Sequence, residues 1–270
     1  MGNFAKRMII NVFGVPLIVL CIYLGNYYLL SLTLIISFFA QYEFYRLSNK
    51  KGYEPISNYA IAMGLLFIIT VYYFNGIIYL ILTFIIVFLI VISFLSRIEK
   101  AFENASLTLF GFFYIPFTLS FLIIIRDSLW KNTESWIILL IMVLAIWSCD
   151  SLAYVVGKLI GRHKLAPEVS PNKTIEGGIA GLIGSILLLL VFYFTGKIHI
   201  GLAGAIIIGS IIGVFAQIGD LFESVLKRSV GVKDSGRLLL SHGGFLDRFD
   251  AFFIVTPIYY LFLRLMLLVQ

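Results

Sequence analysis

The chain has 270 residues, 61% of them hydrophobic and only 13% charged, with a mean hydropathy of +1.03. A water-soluble core cannot hide that much apolar surface, so a soluble globular domain is excluded and lipid must solvate much of the chain. The net charge of +6 is read as membrane topology and not as nucleic-acid binding, because basic residues hold loops on the cytoplasmic side.

A spanning helix needs about 20 apolar residues. Nine segments qualify, near 8–25, 27–48, 56–75, 76–96, 105–125, 135–157, 175–196, 199–221 and 249–269. Their continuous apolar runs lack the alternation of a lipid-facing barrel. The expected fold is therefore all-α, a polytopic integral membrane protein of about nine transmembrane helices. The first run follows Lys6 and Arg7, but no small-x-small cleavage site follows it, so it reads as a retained helix and not a signal peptide. With the N-terminus in the cytoplasm, sixteen of the 20 basic residues fall inside and only Arg126, Lys131, Lys197 and Arg264 fall outside. That asymmetry implies a cytoplasmic N-terminus in a cell (inner or plasma) membrane. Cys21 and Cys149 lie in apolar runs and read as small buried hydrophobes.

The chain divides into residues 1–130, almost pure hydrophobe with about five spans, and residues 131–270, a catalytic region with about four. In the later helices Gly177, Gly181 and Gly184, then Gly201, Gly204, Gly209 and Gly213, would let helix backbones approach closely. Such faces would suit a homodimer.

Chemistry concentrates in three polar clusters. Asp150 stands in the sixth span. Ser170–Gly178, containing Asn172, Lys173 and Glu176, leads into the seventh as a loop. The third cluster runs from Gln217 through Asp220 and Glu223 to Asp247 and Asp250. Intramembrane ionisable groups are costly and mark function. The expected topology brings Asp150, Asp220, Glu223, Asp247 and Asp250 toward the cytoplasmic face, and the two pairs three residues apart each share a helix face. Five converging carboxylates would repel strongly, and one or two divalent cations would relieve them. All-oxygen ligands suit magnesium. Ion pairs such as Glu223–Lys227 would account for some of these acids, and a lone intramembrane Asp also suits a transporter. Lys227, Arg228, Lys233, Arg237 and Arg248 lie within 22 residues, beside Gly231, Gly236, Gly243 and Gly244. Basic side chains grip phosphate oxygens and glycines let backbone amides approach an anion. Acids for a metal plus bases for phosphates form a recurrent recipe for phosphoryl or nucleotidyl transfer. His242 would position a phosphate, shuttle a proton or fix the loop. His163 and His199 show no partner pattern.

The stretches Ser224–Arg228, Lys233–Gly236 and His242–Asp250 resemble the signature of the phosphatidate cytidylyltransferases, or CDP-diacylglycerol synthases. The blocks Gly219–Glu223 and Ser170–Gly177 resemble the same family, and together the likeness covers roughly residues 145–250. Leu240 departs from it, standing where the pattern has a small or turn-forming residue, usually proline. The resemblance implies reaction of CTP with phosphatidic acid, a membrane lipid, to give CDP-diacylglycerol and pyrophosphate, with Mg2+ as cofactor. It implies Asp220 and Asp247 as metal ligands; Glu223, Asp250 and Asp150 would then be secondary metal ligands or groups that support the ligands. Lys227, Arg228, Lys233, His242 and Arg248 would be catalytic, and Asn172, Lys173, Ser224, Gly243 and Gly244 would bind substrate. The rival expectations are a CTP-dependent lipid kinase, which would release CDP, and an ion-coupled transporter, which would need no CTP.

Overall fold

The structure, a computed structural model, describes residues 3–74, 77–92, 94, 99–127, 135–198, 200–236, 238 and 243–269. Nine helices run through these residues: α1 (Asn3–Leu24), α2 (Asn26–Lys50), α3 (Ser57–Tyr73), α4 (Ile77–Ile92), α5 (Ala101–Asp127), α6 (Ser135–Ile160), α7 (Ile175–Phe194), α8 (Gly201–Ser229) and α9 (Leu246–Val269). They coincide with the nine predicted segments, and the chain is an all-α polytopic membrane protein. Among the described residues α5 to α9 are each long and apolar enough to cross a membrane, while three shorter apolar helical stretches lie in α1, α3 and α4. Many large apolar side chains on these helices are exposed, as lipid-facing surfaces require.

Several helices outrun their apolar windows, and two of these extensions carry the acids of interest. The span expected at 199–221 continues to Ser229, because Glu223 and Lys227 pair four apart across the added turns. The last helix starts at Leu246 and not near residue 249, with Asp247 in its first turn, where a carboxylate faces the positive end of the helix dipole. The stretch expected as a loop before α7 instead forms a hairpin of β1 (Lys164–Ala166) and β2 (Ser170–Thr174), antiparallel with Lys164 opposite Thr174. Thr174 then caps α7, its Oγ1 accepting from the Gly177 N–H at 3.2 Å.

The chain forms two compact units. The first comprises residues 1–124 with 229–249, and the second residues 125–228 with 250–270. In the first unit, Phe67, Val71, Ile86, Ile90, Phe94 and Phe112 make a buried apolar cluster. Within α5, Phe113–Phe117 is a π-helical turn containing Pro116. Proline has no N–H and cannot close the regular ladder, and the Thr118 hydroxyl donates to the Tyr114 carbonyl at 2.6 Å inside this widened turn. Helix α2 carries buried Thr33, Ser37, Gln41 and Glu43, and Tyr45 on it donates to the Thr108 carbonyl of α5 at 3.0 Å.

In the second unit, α6, α7 and α8 pack through small residues. A Cβ added at Gly181 would sit 2.8 Å from the Cys149 carbonyl, and one at Gly209 would sit 2.7 Å from Ile186 Cα. Ser185 donates to the Gly209 carbonyl at 2.8 Å and Ser148 to that of Gly184 at 3.1 Å. The faces at Gly177, Gly181, Gly184, Gly209 and Gly213 are thus occupied within the chain. Cys21 and Cys149 are both buried free thiols, as expected.

Candidate active site

In the second unit, Asp220, Glu223 and Lys227 follow one another at helical spacing on α8. Asp220 is partly exposed and pairs with Lys173 of β2 at 2.6 Å. Glu223 is wholly buried and pairs with Lys227, which offsets the cost of burying its charge. Asp250 of α9 lies within electrostatic reach of Asp220, Asp150 and Lys227, and Asp150 itself is exposed on α6. Three of the five expected acids thus share one electrostatic neighbourhood, and a fourth is neutralised by lysine.

Fastenings around this group fix its geometry. Gln217, three residues before Asp220, donates to the carbonyls of Gly178 at 3.0 Å and Gly213 at 2.9 Å, tying α8 to the start of α7. Arg228 donates through Nε to the Val169 carbonyl in the hairpin turn at 3.1 Å. His163, which showed no partner pattern in sequence, lies 2.6 Å from Glu176 through Nδ1, and Glu176 also accepts from the Arg162 N–H at 3.1 Å. These contacts hold the Lys173-bearing hairpin on the N-terminus of α7. Asn172 is exposed on β2 and Ser224 is half-buried on α8.

In the first unit, Asp247 is enclosed by the loop that precedes it. Its carboxylate accepts from the Ser235 N–H at 3.0 Å, the Ser235 hydroxyl at 3.0 Å and the Gly244 N–H at 2.7 Å. Gly243 sits at φ +82°, a conformation that favours glycine. The anion approached by these amides is the protein's own carboxylate. Lys233 and Arg248 are exposed. His242, Arg237 and Leu240 lie outside the described residues.

Sequence reasoning missed Glu43. This wholly buried carboxylate of α2 accepts from the Ser235 hydroxyl at 2.8 Å and the Leu246 N–H at 2.9 Å. Its signal was an acid inside the second apolar run, which the concentration of motifs after residue 145 overshadowed.

Among the described residues no three acidic, histidine or cysteine side chains gather tightly enough to hold an ion on their own. The acids present are nonetheless all oxygen donors, and Asp150 and Asp220 each repel Asp250. That set fits a hard divalent cation that keeps several waters and takes further oxygens from a phosphate ligand.

A family profile described as the cytidylyltransferase family matches residues 5–266. A protein of Staphylococcus saprophyticus named phosphatidate cytidylyltransferase is 42% identical over 164 residues, 61% of each chain. One of the same name from Bacillus subtilis is 48% identical over 120 residues, 44% of this chain and 45% of its own. A third, from Staphylococcus haemolyticus, is 49% identical over 115 residues, 43% of this chain and 44% of its own. The chain thus spans between 44% and 61% of the length of these relatives. Since the family profile runs almost from end to end, this chain belongs to the cytidylyltransferase family.

Proposed function

We propose that the protein is a phosphatidate cytidylyltransferase of the cell membrane, making CDP-diacylglycerol and pyrophosphate from CTP and phosphatidic acid with its site facing the cytoplasm. The observation that carries this reading is the acid–base constellation of Asp220 with Lys173 and Glu223 with Lys227, beside Asp250, inside the family signature. The excess of basic residues in the segments placed inside supports the orientation.

In this reaction a phosphate oxygen of the lipid bonds to the α-phosphorus of CTP as the bond to the pyrophosphate oxygen breaks. No protein nucleophile is required, because the lipid phosphate is already anionic near neutral pH, so the chain's task is positioning and charge stabilisation. Asp220 and Asp247 are the carboxylates that would hold magnesium, with Asp250, Asp150 and Glu223 supporting them. Magnesium, when bound, would neutralise charge developing on the phosphate oxygens. Lys173 and Lys227 rest against carboxylates, so each holds its ammonium in place for a phosphate to recruit. Arg228, Lys233 and Arg248 supply further positive charge, while Asn172 and Ser224 line the substrates and Gly243 and Gly244 act through the Asp247 carboxylate that the Gly244 amide holds.

The test is pyrophosphate release by purified protein given CTP and phosphatidic acid, with and without magnesium. Magnesium-dependent release with CDP-diacylglycerol as product is expected. CDP release with a phosphorylated lipid would identify a lipid kinase instead, and vesicle uptake without CTP a transporter. Asp220→Asn and Asp247→Asn should each lower turnover by at least ~100-fold, as losing a metal contribution of several kcal/mol demands, while the protein still folds in detergent. Wild-type turnover in either variant would defeat the metal assignment.

A further inference from the structure

We propose that Glu43, on a helix of the N-terminal half that carries none of the signature, is a positioning residue that sets the orientation of Asp247. The inference rests on the reading of Asp247 as a metal-binding carboxylate. Glu43 is wholly buried, and an apolar side chain would fill the same space without the cost of desolvating a carboxylate. Its contacts fall on Ser235, which holds the Asp247 carboxylate, and on Leu246, the residue before Asp247. The Ser235 hydroxyl lies 2.8 Å from Glu43 Oε2 and 3.0 Å from Asp247 Oδ2. A hydroxyl has one proton, so it serves one carboxylate at a time and couples the two. The Leu246 N–H, one residue before Asp247, donates to the same Glu43 oxygen at 2.9 Å and so fixes the first residue of α9.

The glycines of this loop obey the same constraint. A Cβ at Gly236 would collide with Glu43 Oε1, and one at Gly244 with Glu43 Oε2 and the Ser235 hydroxyl. The loop is therefore cut to close over this carboxylate. One turn earlier on α2, Phe39 stacks on Phe245 at 4.8 Å between ring centroids and 19° between planes. Helix α2 thus grips residues 235, 245 and 246 with two side chains on one face, leaving Asp247 a single presentation.

The experiment compares Glu43→Ala, Glu43→Gln and Ser235→Ala with wild type, each as the full chain in detergent. Hydrogen exchange at the amides of Ser235, Gly244 and Leu246 should be about tenfold faster in Glu43→Ala, as loss of a hydrogen bond to a charged group implies. Turnover per folded molecule should fall about 10- to 100-fold, the range for partners that orient a metal ligand, and the half-saturating magnesium concentration should rise. Glu43→Gln keeps an oxygen that can accept from Leu246 and Ser235, and it should recover most of both losses. Ser235→Ala should raise the magnesium requirement in the same direction and gives a second route if Glu43→Ala does not fold. Unchanged exchange at these amides, a wild-type magnesium requirement in Glu43→Ala, or Glu43→Gln as impaired as Glu43→Ala would overturn the proposal. A wild-type protein with no cytidylyl transfer would sink the reaction reading instead, and the exchange measurements would still decide the positioning.

Discussion

Gly244 donates its amide to Asp247 while its Cα faces the Glu43 carboxylate, so a side chain at this position has nowhere to go. Gly244→Ala should destabilise the protein by about 1–3 kcal/mol through overpacking, seen as a lowered detergent melting temperature, and should reduce cytidylyl transfer as well. An unchanged melt would show that the loop yields more easily than its packing implies. Individual residues were legible in sequence to very different degrees. The Glu223–Lys227 pair could be read directly, since four residues on a helix are neighbours. The Lys173–Asp220 pair could be placed only as two members of one signature, because no local period links a strand to a helix so far along the chain. Glu43 and Ser235 are 192 positions apart, and no spacing rule joins them. A lone acid inside an apolar run was the available sign.

At the scale of elements, apolar windows located each helix among the described residues but misjudged ends where the charged chemistry begins. Hydropathy drops at the first carboxylates, whereas backbone hydrogen bonding continues through Glu223 and Lys227 to Ser229. The β1–β2 hairpin was illegible for a related reason. It is short, mostly exposed and includes Pro171, so neither alternation nor propensity marks it. At Gly177, Gly181, Gly184, Gly209 and Gly213 the glycine stripes are close-approach faces, and their partners are α6 and α7 of the same chain, whereas Gly201 meets nothing within 4 Å. Gly209→Ala would push a methyl against the backbone of Ile186. It should cost about 1–3 kcal/mol, measurable as easier unfolding in denaturing detergent. Little change in transfer per folded molecule is expected, because Gly209 is three turns from Asp220.

For the whole molecule, nine apolar runs and the distribution of basic residues predict that the end of α2 and the start of α8 lie on opposite sides of the membrane. In a variant lacking Cys21 and Cys149, a cysteine at Lys51 should react with a membrane-impermeant thiol reagent only from the cytoplasmic side. A cysteine at Lys197 should react only from the opposite side, and labelling of both from one side would refute this topology. The sequence divided the chain into an apolar half and a chemical half, yet the contacts assign residues 229–249 to the same compact unit as residues 1–124. That grouping matters to anyone trimming the protein to a minimal catalytic core. A truncation beginning at residue 125 would retain Asp220, Asp247 and every basic residue of the motif, but would discard Phe39 and Glu43. Such a fragment should be inert even when correctly inserted, so the shortest working gene must encode the second helix as well as the motif.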